Sequence, residues 1–343
     1  MTDRRGFLHV VGLGGAFVGG GLVLSACGSD GDSTNSEGLR DVTLQANFLV
    51  NVSQLGEVTA IEQGFYQDEG LNVSITPGGP SVDPTSSVVG GHTDIGVGNS
   101  SPSIFLGVSE GRPIKAFTVA AQTHPYGFFS LPDNPVRTPA DIVGKKVGVN
   151  QTGVILLEAL LAENGYKKSD VDIVTTSGEI TPLLTGQVDV WTGWVIQQGQ
   201  LKELPEDYVT MTLAEAGVPL YALIYFATEK SLKEDREMLE AFTRASARGW
   251  FYARENTEEA VKALASRYDS LNEEDEAVAA EKILDFVFPD GSDEFGEMDP
   301  KLWEEQMDIY DRLGLFDNPR PSVDKVMTSE ILEATKDARM GDT

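Results

Sequence analysis

The sequence predicts an α/β protein built from two α/β lobes joined by two crossings, with a cleft between the lobes. Short β-rich runs alternate with helical patterns from Asp41 onward, the pattern expected of largely parallel sheets. The alternation restarts near residue 128 as a second βα series, and a β-rich run over 221–228 turns back towards the first. A length of 343 residues suits two such units, at about 100–200 residues each. The expected division is a discontinuous first lobe, 41–127 with 226–343, and a second lobe, 128–225. The crossings are expected near 128–131 and 222–226.

Local signals justify each element in turn. Residues 42–46 read as a first strand, and 54–69 as a helix that stops at Gly70. Residues 71–76 form a second strand, closed by the loop signal Pro77-Gly78-Gly79-Pro80. A helix precedes Gly90-Gly91, and 93–97 is a strand. Ser101 is placed to cap the next helix, with Pro102 at its first position, where a missing amide hydrogen is harmless. Residues 114–121 make one more strand.

The second series runs through strands at 128–131, 146–150, 171–175, 188–191 and 209–213. Helices at 154–163 and 182–185 are stopped by Gly165 and Gly186. From Ser231 the chain is helical. Met238, Leu239, Phe242, Ala245, Trp250 and Phe251 recur at helical spacing, and further helices cover 257–268, 274–287 and 300–313.

The start of the chain reads as an export segment. Arg4 and Arg5 precede Gly6-Phe7-Leu8, which resembles a twin-arginine signal. The weakly apolar, glycine-laced stretch 10–24 is shorter than the roughly 20 residues that span a bilayer. Leu24-Ser25-Ala26-Cys27 looks like a bacterial lipobox, so residues 1–26 are expected to be removed and Cys27 to carry lipid. Residues 27–40 are expected to be a flexible tether. Cys27 is the sole cysteine, which excludes an internal disulfide.

With 54 acidic against 26 basic side chains, the formal net charge is −28. Such a surface repels nucleic acid, so no nucleic-acid partner is expected, and membrane attachment is assigned to lipid on Cys27 alone.

Ligands in open α/β sheets lie beyond the carboxyl ends of strands, so polar and aromatic residues there are the site candidates. Phe48 and Asn51 follow the first strand; an aromatic wall with an amide suits a flat, hydrogen-bonding ligand. Core packing and a turn are their respective alternatives. Gln54 is either a ligand contact or exposed helix. Asp83, before Pro84, accepts from a ligand amino group or caps a helix. Asn99 and Ser100 sit where a strand becomes a helix start with free amide donors, and Asn150 repeats that geometry in the second series. Trp191 and Trp194 offer a stacking platform or belong to the core. Tyr126 and Tyr221 each lie by an expected crossing, where they close over ligand or pack a hinge.

Catalysis finds little among these residues. Of three histidines, His9 lies in the export segment, His92 reads as a surface residue, and His124 is a candidate to line the cleft. The chain has no metal-ligand spacing, no G-x-S-x-G, no H-E-x-x-H and no phosphate-binding glycine loop. No enzyme activity, metal or cofactor is expected.

Several of these segments resemble the substrate-binding proteins of ABC importers, in the family that binds thiamine-pyrimidine precursors, sulfonates and nitrate. Ala60-Ile-Glu-Gln-Gly-Phe-Tyr-Gln-Asp-Glu-Gly-Leu-Asn-Val73 is similar to that family's A-x-E-x-G segment. Gly91-His-Thr-Asp-Ile-Gly96, Ile142-Val-Gly-Lys-Lys-Val-Gly-Val149 and Leu184-Thr-Gly-Gln-Val-Asp-Val190 resemble three further motifs, with Val190 departing from the usual Ala. Ala247-Arg-Gly-Trp250 and Met298-Asp-Pro-Lys-Leu-Trp303 are similar to the pyrimidine-precursor branch. The likeness runs from about 42 to 332.

The resemblance implies a type II periplasmic-binding-protein fold, hinge closure on ligand and delivery to an ABC permease, with the chain acting as a monomer. It also implies a contact role for Thr152 and Gly153 in the turn after Asn150. One departure stands out: where the pyrimidine branch carries Trp-Phe-Pro-Asn followed by His, this chain reads Asn47-Phe-Leu-Val-Asn-Val-Ser-Gln54. Gln54 takes the place of that His. Fungal relatives make the pyrimidine with a cysteine cluster, which this chain lacks.

The reading is a lipid-anchored receptor on the outer face of the cell membrane for a small planar heteroaromatic molecule, first a pyrimidine precursor of thiamine. Arginine is missing from the expected cleft segments, which disfavours a strong anion. Helix starts still leave an alkanesulfonate such as taurine, or nitrate, open. Riboflavin and an enzyme of pyrimidine-precursor metabolism are the remaining alternatives.

Overall fold

A computed structural model describes residues 34–341, except 37, 80 and 81. The twin-arginine pair, Cys27 and the tether before residue 34 lie outside the described residues. Of the expected tether, the last part is ordered: Thr34 bridges to Arg40, and the Asn35 N–H donates to the Leu39 carbonyl at 2.8 Å.

Among the described residues, ten strands form two five-stranded sheets. The first sheet contains β1 (Arg40–Gln45), β2 (Leu71–Thr76), β3 (Ile95–Ser100), β4 (Ile114–Ala121) and β10 (Ala222–Thr228), ordered β2-β1-β3-β10-β4. The second contains β5 (Tyr126–Ser130), β6 (Lys146–Val149), β7 (Asp172–Thr175), β8 (Val190–Trp194) and β9 (Val209–Thr212), ordered β7-β6-β8-β5-β9. The two orders are the same pattern. In each sheet, parallel pairs stand on one side, and the strand entering from the other sheet, β10 or β5, runs antiparallel to both its neighbours. Helices connect the parallel strands, as right-handed crossovers require.

Both passages between sheets fall a few residues earlier than expected. Tyr126 and Gly127 already pair in the second sheet, and residues 222–225 pair in the first. The chain therefore crosses over 122–125 and 213–221. Pairing across each sheet, and not local composition, sets where these strands begin. The second passage ends in strain: Leu223 is buried with φ of +51°, a conformation costly for a side chain of its size.

The helices that matter for the site follow β1. A 3₁₀ turn, Val52–Gln54, leads into α1 (Leu55–Glu62), and the expected single helix breaks at Gly64 before α2 (Phe65–Asp68). Gly64 adopts φ of +76°, which ends α1 and redirects the chain. α3 (Pro84–Val89), α4 (Ser101–Ser109), α5 (Val154–Glu163), α6 (Thr181–Leu184), α7 (Gln198–Leu201) and α8 (Ser231–Glu234) follow in order. The long α9 (Arg236–Glu255) is an amphipathic helix whose buried face carries Leu239, Phe242, Ala245 and Trp250. α10 (Thr257–Arg267), α11 (Glu273–Val287) and α12 (Pro300–Arg312) complete the outer layer, with short turns to the C-terminus. No helix among the described residues is long and apolar enough to cross a membrane.

Close backbone approach fixes α1 against α9. A Cβ on Gly56 would stand 2.3 Å from the Trp250 ring, and one on Gly249 would stand 2.1 Å from the Gly56 carbonyl oxygen. Only glycine lets the two helices meet there, and their contact holds Gln54 and Glu57 in place beneath the end of β1.

Candidate functional site

The carboxyl ends of β1, β3, β6 and β8 and the 122–125 passage converge on one polar and aromatic cluster. From the first sheet, the Gln54 side-chain amide donates to the Asn47 Oδ1 at 3.1 Å, and the Asn47 amide donates to the Asn99 Oδ1 at 2.7 Å. One amide hydrogen of Gln54 serves Asn47, and the Gln54 Oε1, shut off from solvent, has no partner. Leaving an acceptor buried and unpaired costs about 1–3 kcal/mol, so such atoms are rare unless something else completes them.

From the passage, His124 is fully buried and both its ring nitrogens lack partners. Burial drives its pKa down to about 3, and the Asn99 backbone beside the ring offsets only part of that without completing a hydrogen bond. His124 is therefore neutral at physiological pH, with one nitrogen able to donate and the other to accept. Its ring lies edge-on to Trp194 at 5.3 Å and to Tyr126 at 6.1 Å.

Tyr126 and Trp194 are direct partners in the antiparallel β5–β8 ladder, so they share one face of the second sheet. The Tyr126 hydroxyl is buried without a partner. The neighbouring Thr192 hydroxyl is committed to the Gly148 carbonyl at 2.9 Å, and burial pushes the Tyr126 phenol upward. Gly153 sits against that hydroxyl: a Cβ there would lie 2.0 Å from the Tyr126 oxygen. Trp194 is half-buried and packs against both apolar cores.

One turn beyond Gln54, Glu57 forms a second buried group. Its carboxylate accepts from the Tyr225 hydroxyl, which itself accepts from the Trp250 indole N–H at 3.2 Å. The other carboxylate oxygen has no partner. Burial raises the Glu57 pKa to about 7, against the lowering from Tyr225 and its own backbone.

The strand ends thus unite Gln54, Asn99, Tyr126, Gly153 and Trp194 among the sequence candidates. Others are used elsewhere. Trp191 points to the opposite side of β8, fully buried, its ring tilted against Phe129 at 4.9 Å, with its indole N–H on the Gly178 carbonyl at 3.1 Å. It is a core residue, because alternate strand positions face opposite ways. Tyr221 also lies in the core: its ring packs on Trp303 at 5.7 Å, and its hydroxyl accepts from the Asp299 N–H at 2.9 Å.

Asp83 caps α3 through the Thr85 N–H at 3.0 Å and pairs with Arg112. Asn51 caps the 3₁₀ turn through the Ser53 N–H at 2.8 Å. Asn150 spends its oxygen on the Gly153 N–H at 2.8 Å and the Thr152 hydroxyl at 3.1 Å, and Thr152 is exposed. Ser100, not Ser101, is the N-cap residue of α4, and it makes no side-chain cap. The Ser101 hydroxyl instead accepts from the Tyr221 N–H at 3.0 Å. Phe48 stands 42% exposed on the loop after β1, at the edge of the cluster.

Asn47 was not singled out from sequence, and His124 only as a possible lining residue. Both had a usable signal. Asn47 lies just beyond the end of β1 beside Phe48, and His124 lies two residues before Tyr126, so both stand in loops at strand ends, where ligands of open α/β sheets are found. Among the described residues, no group of three or more His, Cys, Asp or Glu could hold a metal ion.

Two sheets of identical strand order, with aromatic and amide groups gathered at their strand ends, define the periplasmic-binding-protein fold. The family model described as "NMT1/THI5 like" matches residues 51–260, and the chain belongs to that family. It is 26% identical over 316 residues to the formylaminopyrimidine-binding protein of Halalkalibacterium halodurans, covering 87% of this chain and 92% of that one. It is 27% identical over 230 residues to the 4-amino-5-hydroxymethyl-2-methylpyrimidine phosphate synthase of Legionella pneumophila, covering 65% and 72%. The periplasmic aliphatic sulphonate-binding protein SsuA of Escherichia coli has the same fold, with a TM-score of 0.62, 17% identity and coverage of 83% and 91%.

Proposed function

We propose that this chain is an exported solute-binding lipoprotein that captures a small planar heteroaromatic molecule and passes it to an ABC permease. The molecule favoured is a pyrimidine precursor of thiamine. The observation that carries this reading is the meeting of Trp194 and His124 with the Gln54–Asn47–Asn99 amide chain at the strand ends. A half-buried indole supplies a face for a flat ring, and amides beside it hold its polar edge. The pyrimidine-binding relative from Halalkalibacterium halodurans, matched over nearly its whole length, supports the same ligand class.

Lobes corresponding to the two sheets would close on the ligand about the 122–125 and 213–221 passages, the closed form being favoured by its better fit. Export by a twin-arginine signal and anchoring through lipid on Cys27 rest on the sequence at the start of the chain. Titration calorimetry with pyrimidines, flavins and sulfonates tests the ligand class. Saturable binding of a pyrimidine supports it, and tight binding of taurine with none to pyrimidines overturns it.

The synthase relatives favour a second reading, an enzyme acting on the same heterocycle. Those relatives match over a smaller share of this chain than the binding protein does. Turnover of a pyrimidine precursor by purified protein supplied with iron would establish the enzyme.

A further inference from the structure

Two buried oxygens beneath the end of β1 have no hydrogen-bond partner: Gln54 Oε1 and one carboxylate oxygen of Glu57. Gln54 is the N-cap residue of α1 and Glu57 its third residue, the two positions whose side chains meet at a helix start. With Glu57 ionised, both oxygens are acceptors and repel. A single proton on Glu57 gives each a partner, the carboxyl O–H donating to Gln54 Oε1. The other Glu57 oxygen already accepts from the Tyr225 hydroxyl.

That proton also accounts for the direction of the amide chain. With Gln54 Oε1 turned to Glu57, the Gln54 nitrogen donates to Asn47, and Asn47 donates to Asn99. Asn99 is exposed and its oxygen is spent on Asn47, so its amide hydrogens are what it offers a ligand. An ionised Glu57 only accepts, and takes a hydrogen from Gln54 instead. Each amide then turns over: Asn47 donates to Gln54, Asn99 donates to Asn47, and the Asn99 oxygen faces outward.

We infer that Glu57 is a positioning residue whose proton sets the polarity of the Gln54–Asn47–Asn99 chain, so that Asn99 presents a donor to the ligand when Glu57 is protonated and an acceptor when it is ionised. This rests on the binding reading above, but not on which ligand is bound.

The surroundings of Glu57 allow both states. Burial lifts its pKa to about 7, so each is reached near neutral pH. The ionisable groups facing it are Tyr225 on β10 and Tyr66 on α2, and burial raises both phenols, which stay protonated. No charged side chain of α9 or α10, the helices packed on α1, is buried; Arg244 pairs with Glu69, Arg248 with Asp68 and Arg267 with Glu62. No cation from those helices therefore holds Glu57 ionised. From α11, Glu276 accepts from the Val52 N–H at 2.9 Å, and its titration persists in Glu57→Gln, which separates the two carboxyls.

NMR of the side-chain amides in the unliganded protein, between about pH 5.5 and about pH 8.5, tests the switch. The Gln54, Asn47 and Asn99 resonances should move together with one midpoint near pH 7, and lose that shared transition in Glu57→Gln. A Glu57 that merely packs the helix would leave Asn99, two hydrogen bonds from Gln54, unmoved. Amides that do not titrate in the wild type overturn the switch whether or not a ligand binds. Calorimetry of 4-amino-5-hydroxymethyl-2-methylpyrimidine over the same range reads the consequence. The ratio of wild-type to Glu57→Gln affinity cancels the ligand's own titration, and should change about tenfold from one end to the other. A constant ratio overturns the link to the ligand. Absence of pyrimidine binding at every pH overturns the ligand reading alone, and the amide titration still decides the switch. Should Glu57→Gln fail to fold, the wild-type resonances carry the test.

Discussion

The His124 imidazole meets the Trp194 indole edge-on, with ring centroids 5.3 Å apart and an interplanar angle of 72°. This contact joins the chain's first passage between sheets to the last residue of β8. Trp194 is half-buried there, and the Asn99 backbone at the end of the Gln54–Asn47–Asn99 amide chain flanks His124.

Trp194→Ala should weaken ligand binding by about 2–4 kcal/mol while leaving the protein folded. Trp191→Ala should do the reverse. Its ring is fully buried on Phe129, so its loss should cost about 3–5 kcal/mol of stability. Calorimetry and urea denaturation on both variants check the pair. Unchanged affinity in a folded Trp194→Ala removes that residue from the site.

Asn47 holds two amides in register, so Asn47→Ala should strand the Gln54 N–H group and the Asn99 oxygen. The expected cost is about 1–3 kcal/mol of stability, read from denaturant midpoints, together with weaker binding. A variant as stable as wild type would show that the amide chain is not closed in solution.

Gly153→Ala places a methyl against the Tyr126 hydroxyl, and overpacking of this kind costs about 1–3 kcal/mol. In a Tyr126→Phe background the closest clash disappears, though Val149 at 2.9 Å and Asn150 at 3.0 Å still crowd the site. A double-mutant cycle by denaturation should therefore give a smaller penalty for Gly153→Ala in that background. Strictly additive effects would contradict the contact.

Glu57 ties stability to pH. Its folded pKa of about 7 exceeds the ordinary 4.5, so the folded state binds the proton more tightly than the unfolded chain. Its contribution is complete below about pH 4.5, is lost as pH rises to 7, and is then flat; over that span it is on the order of 3 kcal/mol. His124 works in the opposite sense. Its folded value of about 3 lies below the ordinary 6.5, so it destabilises the fold as pH falls below 6.5. Total stability mixes both, and the difference between wild type and Glu57→Gln isolates the carboxyl. That difference should shift steadily between pH 4.5 and 7 and stay constant above; a flat difference would place Glu57 in contact with water.

Much of the fold was legible because hydrophobic period and glycine stops act locally. Residues 71–76, 114–121 and 154–163 fall where their composition puts them, and family motifs bracket the sheets. The passages were misplaced by a few residues because strand ends there are set by pairing across the sheet, which no local signal records. The site was legible only in outline. Trp194 and Trp191 look alike in composition, and strand parity separates them: positions 190, 192 and 194 face one side and 191 and 193 the other. Asp83, Asn51 and Asn150 have the chemistry of ligand contacts, but their oxygens satisfy nearby N–H groups, the commoner fate of such residues at helix starts. His124 was hard to rank because a lone histidine carries no spacing pattern. Its burial without partners emerges only when the two sheets are brought together.

Titration calorimetry of 4-amino-5-hydroxymethyl-2-methylpyrimidine into the wild-type chain and into Trp194→Ala tests the central claim most directly. Saturable one-to-one heat in the wild type, lost or strongly weakened in the folded variant, is the expected result. No heat from the pyrimidine, alongside tight binding of taurine, would contradict a flat neutral guest held at the strand ends, as would a pyrimidine affinity indifferent to Trp194.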